Sequence, residues 1–146
     1  MKPAKMLIFI AGCMGLVSLT VTAFGACDKF GSTHMTIVNK TAQSLIEPYV
    51  FTKSYGHDPS MPAPIYSNQE RIMDACAGGG PTSRSAAVVV YYQQSGTQIV
   101  YLHYYTKNSG ASSVTGSCGV SYNNKDWTNC SYTNDGQDGY CTCTVQ

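Results

Sequence analysis

Six cysteines, Cys27, Cys76, Cys118, Cys130, Cys141 and Cys143, follow an N-terminal stretch with the pattern of an export signal. An even cysteine number in a small exported chain marks a disulfide framework, which staples a domain whose hydrophobic core is modest. Six cysteines admit many pairings, so spacing alone does not settle connectivity. The preferred set joins Cys27 to Cys76 and lets the other four pair among themselves, tying the tail to the sheet. Each bridge then contributes roughly 2 to 4 kcal/mol, mainly by restricting the unfolded chain.

The export reading rests on order. Lys2 and Lys5 form a basic start, Met6 to Phe24 run almost without charge, and small residues follow. Cleavage after Ala23 or Gly25 satisfies the small-residue rule, so residues 1–25 are assigned to a signal peptide and 26–146 to a secreted domain. Such a chain is extracellular, or periplasmic in a Gram-negative bacterium. Two alternatives compete. The apolar run is long enough for a membrane anchor, although glycines and threonines interrupt it. Ile10-Ala11-Gly12-Cys13 also has the spacing of a lipid-attachment box, and acylation at Cys13 would leave the six later cysteines even in number.

About 120 residues then form one domain. Without Lys2 and Lys5, seven basic and eight acidic side chains remain of the nine and eight in the whole chain. The basic residues are scattered singly from Lys29 to Lys125, whereas a nucleic-acid partner requires clustered Lys and Arg. Nucleic acid is therefore not an expected partner. A nearly neutral surface rich in Ser, Thr, Asn, Gly and Tyr suits neutral ligands such as glycans or lipid headgroups.

After the signal, apolar residues recur with the period of strands, and no helical repeat persists. The expected fold is all-β, a single-domain antiparallel β-sandwich of seven or eight short strands. The expected strands are His34 to Val38, Ser44 to Phe51, Gln69 to Cys76, Ala86 to Gln93, Gln98 to Tyr105, Cys118 to Tyr122, Trp127 to Tyr132 and Gly139 to Val145. Pro59, Pro62 and Pro64 mark Thr52 to Ser67 as a long surface loop, and Lys107 to Ser117 reads as a second one. Pairing about Ser95-Gly96 puts Val89, Tyr91, Val100, Leu102 and Tyr104 on one face of the central hairpin. Val88, Val90, Tyr92, Ile99, Tyr101, His103 and Tyr105 fall on the other.

Chemistry-bearing motifs are sparse. His34, His57 and His103 sit in no recognisable catalytic pattern, and Glu47 with Glu70 is a weak candidate for a glycosidase-type pair. A zinc site built from Cys118, Cys130, Cys141 and Cys143 lacks paired Cys-x-x-Cys knuckles, so no metal or cofactor is expected. Asn134 to Gly139 faintly resembles a calcium loop but lacks the distal glutamate, which favours a hairpin turn. Asn39-Lys40-Thr41 and Asn129-Cys130-Ser131 match the glycosylation sequon, with Asn39 the expected exposed acceptor. A protein that binds rather than catalyses is the expectation, with a small secreted hydrolase the least favoured alternative.

Tyrosine placement points to where binding occurs. One hairpin face packs against the second sheet, and the other presents Tyr92, Tyr101, His103 and Tyr105, with Trp127 as a further aromatic candidate. Rings carrying hydroxyls suit the boundary between water and lipid, or the faces of sugars. The plainer reading is that these tyrosines are ordinary strand formers.

The order Met35-Thr-Ile-Val-Asn39, then Glu70-Arg-Ile-Met-Asp-Ala-Cys76 before a glycine-rich loop, then the Tyr-rich hairpin, resembles the aegerolysin family. The tail from Trp127 through Tyr132 to Cys141-Thr-Cys-Thr-Val145 is similar to that family's closing strands. The resemblance spans most of Met35 to Val145 and implies a compact β-sandwich that recognises membrane lipids, sometimes with a larger pore-forming partner. Tyr104 to Gly110 stands where that family carries a tryptophan-rich, Cys-Pro-containing loop. The leading functional expectation is a secreted lipid-binding module; a glycan-binding or effector-type interaction module is the alternative.

Overall fold

The computed structural model describes residues 27, 29–79, 82–96, 98–110 and 113–146. The expected signal peptide and Cys13 lie outside these residues. Nine strands account for the described fold: β1 (Thr33–Asn39), β2 (Leu45–Tyr55), β3 (Glu70–Ala75), β4 (Ser83–Gln93), β5 (Ile99–Asn108), β6 (Val114–Tyr122), β7 (Lys125–Asn129), β8 (Ser131–Asn134) and β9 (Gly139–Val145). They form a four-stranded sheet in the order β3-β1-β9-β8 and a five-stranded sheet in the order β2-β4-β5-β6-β7. All pairs are antiparallel except β1 with β9, where the closing strand lies parallel to the opening one.

The core fills the space between the sheets. Met35 and Ile37 of β1 and Cys141, Cys143 and Val145 of β9 face Val89, Tyr91, Val100, Leu102 and Tyr104 of the central hairpin. The hairpin register, Val90 opposite Tyr101 and Tyr92 opposite Ile99, is the one that the turn at Ser95-Gly96 dictates. The expected division of its faces holds, because side chains alternate strictly along a strand.

Cys27 is joined to Cys76, Cys118 to Cys141 and Cys130 to Cys143. Cys118 lies in the five-stranded sheet and Cys141 in the four-stranded one, so this bridge crosses the core. All three bridges fit an oxidising, extracellular-type environment.

Three segments differ from expectation. Residues 114–117 belong to β6 rather than to a loop: Val114, Gly116, Cys118 and Val120 alternate inward, and a side chain at Gly116 would strike the Tyr105 carbonyl and the Tyr132 hydroxyl. Small residues that looked like loop composition are there because large neighbours fill the space. β2 runs on to Tyr55, with register shifts that let its edge position accommodate Pro48. The loop after it buries Ile65, which bridges to Leu45, and Pro62 accepts a hydrogen bond from the Tyr91 hydroxyl at 3.0 Å.

The expected strand from Trp127 to Tyr132 is in fact two. The chain leaves the five-stranded sheet after Asn129 and enters the four-stranded sheet at Ser131. Cys130 is the pivot, donating its N–H to the Cys118 carbonyl at 2.9 Å while its sulfur bonds Cys143. No glycine or proline marks this crossover, which is held by tertiary contacts.

Candidate functional site

The outward face of the five-stranded sheet is aromatic from edge to edge. From β5 it presents Tyr101, His103 and Tyr105, and from β4 it presents Val88, Val90 and Tyr92. Tyr49, Phe51 and Tyr55 of β2 stand along one margin, and Trp127 of β7 stands along the other. All five aromatic-face candidates, Tyr92, Tyr101, His103, Tyr105 and Trp127, therefore share one surface. Among the described residues, no other element covers it.

The rings are organised in pairs. Tyr49 lies nearly parallel to Tyr92 with centroids 6.0 Å apart, and Phe51 meets Tyr101 edge to face at 5.7 Å. A hydrogen bond with the Tyr92 hydroxyl, and then burial, raises the Tyr49 phenol above its ordinary pKa. Val90, opposite Tyr49 on one side and Tyr101 on the other, is fully buried beneath them. The canopy thus supports the sheet as well as facing outward. It still leaves Phe51 53%, Trp127 42% and Tyr49 38% exposed. These exposed rings stand on the two edge strands, with the half-buried Tyr92, Tyr101 and His103 between them.

His103 stacks edge to face on Trp127, centroids 4.8 Å apart, above Gly119. Burial lowers the pKa of His103, favouring a neutral imidazole. Its ring packs against the indole, and among the described residues no carboxylate forms an ion pair with it.

Tyr49, Phe51 and Tyr55 were not singled out in the sequence. Tyr49 and Phe51 alternate within the expected strand Ser44 to Phe51, whereas Tyr55 falls in the expected loop, and only the pairing of β2 with β4 places them on this face.

The remaining candidates are dispersed. His34 hydrogen-bonds Asp74 through Nδ1 at 2.6 Å, lies 3.8 Å from Asp138 through Nε2, and stacks on Tyr140. This cluster, on the outer face of the four-stranded sheet, carries no sequence motif because its members come from β1, β3, the β8–β9 turn and β9. Glu47 and Glu70 lie on different sheets and form no pair.

Asn134 to Gly139 is a turn closed from within. Asp135 accepts the N–H groups of Asp138 and Gln137 and the Tyr140 hydroxyl, which lowers its pKa, and Asp138 accepts the Ser32 N–H. The sulfurs of Cys118, Cys130 and Cys143 lie within 4.8 Å of one another, yet each is committed to a disulfide, and zinc requires thiolates.

Asn39 is corrected outright. It is fully buried, with its amide donating to the carbonyls of Gln43 and Ile65 and its oxygen accepting from Thr41. A sequon describes only local sequence; burial here follows from the loop that folds back over β1.

No protein-family model matches the chain, and none of the curated proteins compared with it matches either.

Proposed function

We propose that this protein is a secreted, non-catalytic module that binds membrane lipid through the aromatic face of its five-stranded sheet. The observation that carries the reading is that Tyr49, Phe51 and Trp127 stand exposed on one face of a single sheet, with half-buried Tyr101 between them. Tyrosine and tryptophan favour the water–lipid boundary, where the ring leaves water and the polar end stays hydrated. Phe51, more than half exposed, offers apolar area without a hydroxyl, which a lipid surface matches better than a sugar. The aegerolysin resemblance leads to the same ligand class and adds a larger pore-forming protein as a partner.

Sedimentation of the oxidised protein with vesicles tests the proposal. Pelleting with neutral, anionic or sphingolipid-containing vesicles is expected. Replacing Phe51 and Trp127 together with serine should weaken it by at least about 100-fold, since each buried aromatic contributes roughly 1.5 to 3 kcal/mol. Absence of pelleting with all three vesicle types overturns the reading, and glycan-array binding in that case would replace it with glycan recognition.

A further inference from the structure

At one end of the aromatic face, Arg84 of β4 stands directly opposite Lys107 of β5. Like charges opposed across two strands repel, and sheets ordinarily avoid them. The ion pairs among the described residues are His34 with Asp74 and Asp138, and Lys53 with Asp58; neither Arg84 nor Lys107 takes part in one. Two adjacent cations are therefore held together without a carboxylate to offset them.

Arg84 is also positioned. Its guanidinium lies over the Tyr55 ring, 4.9 Å from the centroid, and its Nε is buried without a hydrogen-bond partner. Stacking fixes the plane of the guanidinium fork, which is the arrangement that recognises an oxyanion through paired N–H groups. Beside it opens a cleft of about 280 Å³ lined by Lys53, Ser54, Tyr55, Gly79, Thr82 and Arg84, among others. Ser54 and Thr82 add hydroxyl donors, and space at Gly79 is open to an approaching group. The Asp58 carboxylate is held by Lys53 rather than by Arg84.

We infer that this cleft binds a phosphate-class oxyanion, with Arg84 as the principal ligand, Lys107 reinforcing the positive potential and the Ser54 and Thr82 hydroxyls completing the donor set. The same chemistry is offered by inorganic phosphate and by a lipid phosphate headgroup. The headgroup form rests on the membrane reading above; the inorganic form does not.

The test is calorimetric titration of the folded, oxidised protein with inorganic phosphate, using Arg84→Gln, Arg84→Lys and Lys107→Gln. Saturable binding is expected, at least about ten-fold weaker in Arg84→Gln. Arg84→Lys, which keeps the charge but loses the stacked fork, should also weaken it, and Lys107→Gln less so. Absence of saturable binding, or equal binding by wild type and Arg84→Gln, overturns the inference. Near-ultraviolet circular dichroism checks that each variant is folded, and if Arg84→Gln does not fold, unchanged binding by both Lys107→Gln and Thr82→Val overturns it instead.

A parallel arm uses phosphatidylcholine vesicles with and without phosphatidic acid. Enhanced pelleting with phosphatidic acid, lost in Arg84→Gln, supports the headgroup form. Phosphate binding without any pelleting leaves the cleft standing and removes the membrane reading. Pelleting without phosphate binding does the reverse.

Discussion

The imidazole of His103 and the indole of Trp127 meet edge to face across the intervening strand, their centroids 4.8 Å apart. They can do so because β6 carries Gly119 between them. A Cβ there would lie 2.6 Å from His103 Cε1 and 2.8 Å from the Thr128 carbonyl oxygen.

Trp127 is the chain's sole tryptophan, so its fluorescence reports this contact directly. A protonated imidazole quenches a neighbouring indole more than a neutral one does. Emission should therefore fall on acidification with a midpoint below 6.5, because burial lowers the His103 pKa from that value. His103→Phe should abolish the titration; a midpoint at or above 6.5 would contradict the burial argument.

The same shift makes a stability prediction. Below pH 6.5 the unfolded chain binds a proton at His103 before the folded chain does, so its contribution to stability falls as pH drops through that window. It should level off once the folded histidine is also protonated. Urea midpoints for wild type and His103→Phe between pH 7 and pH 5 should differ in slope, with the variant flatter.

Gly119→Ala should displace β7, since one of the atoms in its way is a backbone carbonyl. The expected signature is a red-shifted, less quenched Trp127 emission and a loss of roughly 1 to 3 kcal/mol of stability.

Asn39 should carry no glycan in a eukaryotic host, and intact-mass measurement would show this. Asn39→Ala should destabilise by roughly 1 to 3 kcal/mol, because the Thr41 N–H loses its acceptor and the Gln43 and Ile65 carbonyls each lose one of two donors, keeping only the Thr41 hydroxyl and the Leu45 N–H. Chemical denaturation of the purified variant gives the value.

Removing the inter-sheet bridge as Cys118→Ala with Cys141→Ala should cost roughly 2 to 4 kcal/mol. Removing Cys27–Cys76, which spans 49 residues against 23, should cost somewhat more on the chain-entropy argument. Matched urea curves for the two double variants compare them.

Local alternation and turn chemistry are written into neighbouring residues. Val89, Tyr91, Val100, Leu102 and Tyr104 had to face inward together once the turn at Ser95-Gly96 set the hairpin register, and Tyr101, His103 and Tyr105 had to face outward. Strand periodicity is legible for the same reason, being a property of neighbours along the chain, and the even count of the six cysteines matches their three disulfides. Tertiary structure decided what depends on residues far apart. The parallel docking of β9 on β1, the crossover at Cys130, the burial of Asn39 and the opposition of Arg84 to Lys107 follow from which strands lie side by side. The aromatic face is of both kinds: its β5 residues follow from the period of two and Trp127 is a sequence candidate, whereas Tyr49 and Phe51 join the face only because β2 takes one edge of the sheet.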